Sequence, residues 1–242
     1  MKRERIVLAG HLSQKFGDVP SPFYEVIRTK RKHYLRRKKF VSHIVGSRFD
    51  PEKFSEYPVF WAMFPLPKDI DCVGLFHYRC ILNLAPDVED DTTRSMVDRE
   101  KELAYQSGFL ETFKSVLAVS KPLDFTSQGM SDWEQLLFCI PDIESDLLRM
   151  CDIFDSITGL SSEKFLKKTS RLYSRNIFVG PSEFANSWNE ISLRVLKGLN
   201  ESEFESKYDR PGGYILERLF SVYVENWKLT NKVIERPFVW FA

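Results

Sequence analysis

The stretch Asp71-Cys-Val-Gly-Leu-Phe-His-Tyr-Arg-Cys-Ile-Leu82 decides the fold. An unbroken apolar run such as Cys72–Phe76 reads as a strand buried on both faces, the kind found inside parallel α/β sheets. The run ends in three side chains that bind anions, His77, Tyr78 and Arg79. In α/β folds ligands bind at the carboxyl ends of the strands, and the fixed donor fork of an arginine suits a phosphate group. The competing reading is an ordinary strand end with no ligand.

Working outward, short apolar runs at Ile6–Ala9, Val116–Val119 and Ile177–Val179 read as further strands, and segments of helical periodicity separate most of them. This alternation predicts α/β layering. Pro141 is placed to open a helix through Ile143, Leu147, Met150, Phe154 and Ile157, closed by Gly159. Asp132–Ile140 reads as a helix just before it. Pro181 opens another helix, carrying Phe184, Trp188, Ile191 and Val195, and Gly212-Gly213 lead into a last amphipathic helix from about Tyr214 to Trp227. Glu56, ahead of Tyr57-Pro-Val-Phe-Trp61, opens a helix packed under the central strand. The acidic loop Asp87-Val-Glu-Asp-Asp91 reads as a solvated helix start, since acids favour helix N-termini, with a metal site as the alternative.

The chain has 242 residues, 43% hydrophobic and 29% charged, with 20 Phe, which is the composition of one globular α/β domain spanning 1–242. Its four cysteines show no C-x-x-C spacing, and three lie in apolar runs, so the expectation is a reduced, cytoplasmic protein. No segment has the length of a membrane span. The net charge of +1 conceals one asymmetry: residues 28–39 hold eight cations and no acid.

The chain contains no G-x-G-x-x-G, no Walker lysine loop, no G-x-S-x-G elbow and no H-E-x-x-H. Dinucleotide oxidoreductases, P-loop ATPases, serine hydrolases and zinc proteases are therefore disfavoured. A single D-x-D, Asp69-Ile-Asp71, lies before the strand, whereas carboxylates that hold a divalent ion against a diphosphate belong at its exit. The exit is taken by His77-Tyr78-Arg79, which offers cationic and hydrogen-bonding stabilisation without metal. Glu217 follows Gly212-Gly213 among apolar neighbours, where partial burial suits a carboxylate to general-base work; an ion pair with Arg218 is the equally weighted alternative. Asn176 is placed to exchange hydrogen bonds with sugar hydroxyls, although asparagine is also a turn residue. His11 follows the first strand, where such folds take up nucleotide.

In this order, Glu56-Tyr-Pro-Val-Phe-Trp61, Asp71 to Arg79, Asn176-Ile-Phe-Val179 and Gly213-Tyr-Ile-Leu-Glu-Arg-Leu219, the chain resembles a family of bacterial polysaccharide-biosynthesis proteins. That family was long catalogued as a domain of unknown function and is now associated with capsule and O-antigen glycosyltransferases. The resemblance covers nearly the whole chain and departs at Cys80, where the family repeats arginine, and at Pro58. It implies a GT-A-like nucleotide-diphospho-sugar transferase fold, a Rossmann-like mixed sheet flanked by helices. It implies Glu217, His77 and Arg79 as catalytic residues, and His11, Glu56, Tyr78, Asn176 and Arg218 as contacts to the nucleotide-sugar donor. No metal ligand and no required cofactor are expected, with Mn²⁺ or Mg²⁺ as the alternative. The acceptor is expected to be lipid-linked or an oligosaccharide. The cations of 28–39 then suit peripheral contact with the inner membrane surface, and nucleic acid is not an expected partner. A non-catalytic glycan-binding or assembly module on the same fold is the rival expectation.

Overall fold

The computed structural model describes residues 3–9, 24–25, 57–61, 64–66, 68, 70–77, 80–95, 98, 101–102, 105–106, 108–199, 204–208 and 210–241. His11, Glu56, Tyr78, Arg79 and the basic segment 28–39 lie outside the described residues.

In chain order the elements are β1 (Arg3–Ala9), β2 (Tyr24–Glu25), α1 (Tyr57–Trp61), β3 (Ile70–His77), β4 (Cys80–Leu82), β5 (Thr92–Arg94), β6 (Leu117–Ser120), β7 (Leu123–Asp124), α2 (Asp132–Cys139), α3 (Glu144–Thr158), α4 (Ser162–Leu166) and β8 (Arg171–Leu172). They continue with β9 (Phe178–Pro181), α5 (Ser182–Gly198), α6 (Pro211–Lys228), β10 (Val233–Arg236) and β11 (Phe238–Phe241). Short 3-10 turns at Leu110–Lys114, Thr126–Gln128 and Ser174–Asn176 join them. The main sheet runs β10-β6-β9-β3-β4-β11-β5, with β1 also on β3 and β2 on β1.

The sheet is mixed, as the family resemblance implies. The strand expected from Cys72–Phe76 is β3, but its setting is not purely parallel. β1 runs parallel along it from Ile70 to His77, whereas β9 runs antiparallel along Cys72–Leu75. The lack of alternation in its sequence has a direct cause: both faces are covered. Val73 and Leu75 enter a large core shared with α5 and α6, while Cys72 and Phe76 enter a second core that holds Leu110 and Phe113. In β9, Phe178 and Val179 divide between the same two cores. With apolar matter on either side, neither register position favours a polar residue.

The larger core is built around aromatic rings. Phe178 of β9 packs edge-on against Phe184 of α5 at 5.3 Å and against Phe60 of α1 at 5.9 Å, and Trp188 meets Phe220 of α6 at 5.5 Å. These near-perpendicular arrangements suit the ring quadrupoles, edge against face. Local signals start and stop the helices. Ser131 and Glu134 form a reciprocal capping box on α2, Gly159 closes α3 with φ 71°, and Pro211 fills the first turn of α6.

Two expectations are corrected. Helix α3 starts at Glu144 rather than Pro141, because residues 141 and 142 form a turn in which the Asp142 carboxylate accepts the Lys207 N–H and the Ser206 hydroxyl. The acidic loop does not open a helix but leads into strand β5. Asp91 is committed instead to β11, accepting from the Phe238 N–H at 2.8 Å and from Trp240 Nε1–H at 3.0 Å. All four cysteines are free, with Cys72, Cys80 and Cys151 buried and Cys139 exposed. Among the described residues no helix is long and apolar enough to cross a membrane.

Phe178 is fully buried where α1, α5 and α6 meet the sheet. Phe178→Ala is expected to lower the unfolding free energy by about 3–5 kcal/mol in urea titrations; a loss below 1 kcal/mol would refute this packing.

Candidate functional site

The site begins with a competition for one strand edge. β1 occupies one edge of β3 as far as His77. On the other edge β9 pairs only up to Leu75, and Cys80 of β4 pairs with His77. The chain entering β9 therefore has to leave the sheet at this end. It does so through Arg175 (φ 68°) and Asn176 (φ 53°), consecutive left-handed residues that are not glycine. Each such conformation costs roughly 1–2 kcal/mol, and specific partners offset the cost. The Arg175 N–H donates to the Glu217 carboxylate of α6, Asn176 Oδ1 accepts the Tyr57 hydroxyl of α1 at 2.8 Å, and the Arg175 guanidinium lies 4.5 Å over the Trp240 ring of β11.

Beneath this turn lies a buried charge network. Arg218, 3% exposed, follows Glu217 on α6 and turns inward. Its Nη1 lies 3.1 Å from Glu217 Oε2, its Nη2 donates to Gln135 Oε1 on α2, and its Nε lies 3.2 Å from Asp132 Oδ1. The Nε contact is close but not aligned as a hydrogen bond, so Asp132 is held by charge. Burial raises the Asp132 carboxyl from the ordinary 3.8 to about 6; Arg218 opposes that rise and Glu217 adds to it.

Above the network opens a cleft of about 850 Å³. Glu217, Arg218 and Asn176 all line it, so the structure brings three of the sequence candidates together. Among the described residues the acids facing it are Glu89, Asp90, Asp91 and Glu217, and the cations are Lys121, Arg175, Arg210 and Arg218. His77, half-buried, is not among its walls. It is connected to the cleft through the sheet, since His77 pairs with Cys80 and Cys80 with Trp240, which does line the cleft. The Glu217–Arg218 ion pair weighed as the alternative to a base is present, and so is the turn role of Asn176. Among the described residues no three His, Cys, Asp or Glu side chains are grouped to hold a metal ion.

Sequence reasoning missed Asp132, Gln135, Tyr208, Tyr214 and Trp240. Asp132 carries no signal of its own, because directly after the capping Ser131 it looks like an ordinary acid at a helix start. Trp240 lies in the apolar C-terminal run Phe238-Val-Trp-Phe241, where only the neighbouring strands reveal its place.

Because the folded value is raised, Asp132 keeps its proton in the fold over a range where the unfolded chain has lost it. Its share of stability is therefore full below about pH 4 and lost as pH rises through about 6, on the order of 3 kcal/mol in all. Among the described residues the charged groups facing it are Arg218 and Glu217. In unfolding titrations at several pH values, the wild-type advantage over Asp132→Asn is expected to shrink by that amount between pH 4 and 7; a constant difference would contradict the raised value.

No family model and no curated protein matches this sequence. Among solved structures, the whole chain superposes with a TM-score of 0.71 at 15% identity on a protein described as the WbbM bifunctional glycosyltransferase in its apo form, and it spans 46% of that chain. The chain thus shares the mixed α/β fold of a glycosyltransferase structure, consistent with a GT-A-like fold.

Proposed function

We propose that the protein is a glycosyltransferase that moves a hexose from a nucleotide-diphosphate sugar to a growing capsule or O-antigen glycan. The observation that carries this reading is the fold shared over the full chain with less than half of a bifunctional glycosyltransferase, a share of the size one transfer unit would need. The cleft beside the sheet end supports it by bringing Glu217, Arg218 and Asn176 into one lining.

On this reading the Glu217 carboxylate takes the proton of an acceptor hydroxyl as its oxygen attacks the anomeric carbon. The bond from that carbon to the diphosphate breaks, and the electron pair leaves with the nucleotide. His77, with Arg79, offsets the charge on the departing diphosphate, and His11, Glu56 and Tyr78 complete the donor contacts. A divalent ion, Mn²⁺ or Mg²⁺, is the alternative source of that charge compensation. The cations of 28–39 hold the protein against anionic lipid on the cytoplasmic side, beside a lipid-linked acceptor.

A second reading, a glycan-binding or assembly module without activity, draws on the engagement of the Glu217 carboxylate with Arg218 and the Arg175 N–H. A thermal-shift screen against UDP, GDP, CDP and TDP, with and without Mn²⁺, separates the two. Transferase function predicts a rise in Tm with one nucleotide, whereas no shift with any of them favours the module. Given a donor, Glu217→Gln keeps an oxygen for the Arg175 N–H, so turnover is expected to fall by about 10²-fold or more with donor affinity unchanged. Arg79→Ala is expected to weaken the nucleotide instead. Unchanged turnover in the first variant, or unchanged affinity in the second, removes that residue from the mechanism.

A further inference from the structure

We propose that the 850 Å³ cleft between α2, α6 and β11 is a carbohydrate subsite, which holds an uncharged stretch of oligosaccharide against Tyr208, Tyr214 and Trp240. This deepens the transferase reading, and rests on it in making that oligosaccharide the acceptor and in placing the donor at the end of β3.

Among the described residues five aromatic rings face the cleft, Phe125, Tyr208, Tyr214, Phe238 and Trp240. Phe125 and Phe238 are buried, but Tyr208 is 44% exposed and Tyr214 and Trp240 are half-buried, so Tyr208 and Tyr214 offer ring surface to a ligand and Trp240 the part of its ring that Arg175 does not cover. The apolar C–H face of a pyranose packs on such rings while its hydroxyls need planar donors and acceptors. The side chains of Asp90 and Arg210 face the same cleft, and Gln135 adds the amide capacity that its bonds to Arg218 and Cys139 leave over. Tyr208 and Tyr214 stand together with centroids 5.8 Å apart. Trp240 is set by Asp91 on its indole N–H, by Arg175 over its ring and by Phe238 at 5.2 Å, so little ordering is left for a ligand to impose.

The described walls carry four carboxylates and four cations, and most of those cations already have a role within the protein. Arg218 lies between Asp132 and Glu217, Arg175 covers Trp240, and Lys121 Nζ donates to the Glu89 carbonyl. A balanced wall of this kind is poorly suited to a diphosphate, which needs net positive charge, and well suited to a neutral polyol.

His77 and Trp240 are separated by the single strand β4 on one rung of the sheet, roughly 10 Å at the usual spacing of strands. A sugar resting on Trp240 therefore lies within reach of the strand end at which the donor is read. A volume of 850 Å³ is near the upper end of the roughly 300–1,000 Å³ typical of ligand pockets, so the walls accommodate more than one sugar ring.

Cys139 provides the test, because it lines the cleft and is the one exposed cysteine of the four. An array of bacterial capsule and O-antigen oligosaccharides identifies a binder, and iodoacetamide labelling followed by mass spectrometry then reads Cys139 with that oligosaccharide or with UDP or GDP present. The expected result is that the oligosaccharide slows Cys139 labelling by about tenfold at saturation while neither nucleotide does. Tyr208→Ala, at an exposed position that the core does not need, is expected to lose about tenfold in affinity, and Trp240→Leu at least as much. The assignment is overturned if no oligosaccharide binds, if a nucleotide protects Cys139 and the oligosaccharide does not, or if both variants bind like the wild type. The nucleotide thermal-shift screen separates the two claims. A nucleotide shift without glycan protection sinks the subsite and spares the transferase, and glycan protection without any nucleotide shift does the reverse.

Discussion

A strand has two edges, and at the end of β3 three chain segments meet there. With β1 filling one edge to its last residue, β9 and β4 divide the other, and at His77 it is Cys80 that pairs. Much of the site geometry follows from this division. The approach to β9 is forced out of the sheet through two left-handed residues, which carries Arg175 over Trp240 and sets Asn176 against Tyr57. The strain is held from α6 by the Glu217 carboxylate on the Arg175 N–H. A carboxylate at the rim of the cleft is thus also part of the device that shapes the rim.

The charge network below has to be judged by the same standard. Arg218, Asp132 and Glu217 form a buried cluster, and buried ion pairs commonly contribute little net stability because desolvation consumes most of the coulombic gain. The raised Asp132 carboxyl is a direct sign of that cost. What the cluster supplies is placement. Arg218 bridges α6 to Gln135 and Asp132 on α2, so both walls of the cleft are referred to one rigid guanidinium. An uncharged replacement of similar volume would fill the space without fixing the orientation of Glu217.

The fold was largely legible in the sequence because its decisive signals are local. The apolar run ending at His77, the caps at Pro181 and Gly159 and the periodicity of α5 and α6 each act through neighbouring residues, and each marks a real element. Where local reading failed, a distant partner had intervened. Asp142 answers to Ser206 and Lys207, which delays α3, and Asp91 answers to Phe238 and Trp240, which turns an expected helix start into a connection between strands. The same contrast divides the site. Glu217, Arg218 and Asn176 could be singled out in the sequence because they sit beside glycines, at a helix start or at a strand entrance, and the structure brings them to one cleft. Trp240, Tyr208 and Asp132 could not, because they come together only once β11, the segment before α6 and α2 face one another.

The tether on Glu217 is chemically compatible with the base role proposed for it. An ionised carboxylate has about four lone-pair positions, two on each oxygen. The Arg175 N–H engages Oε1 and Arg218 engages Oε2, so tethering by these two groups does not by itself exclude a substrate hydroxyl from the same carboxylate. The tethers also fix where such a hydroxyl must stand, because they hold the carboxylate at the rim rather than letting it rotate freely on α6. A base fixed in this way gains in alignment with the acceptor what it gives up in freedom, and alignment is the larger contribution when two reactants must meet in one geometry. The left-handed turn at Arg175 and Asn176, which looks like a cost imposed by strand pairing, is therefore also what would aim Glu217 at an acceptor.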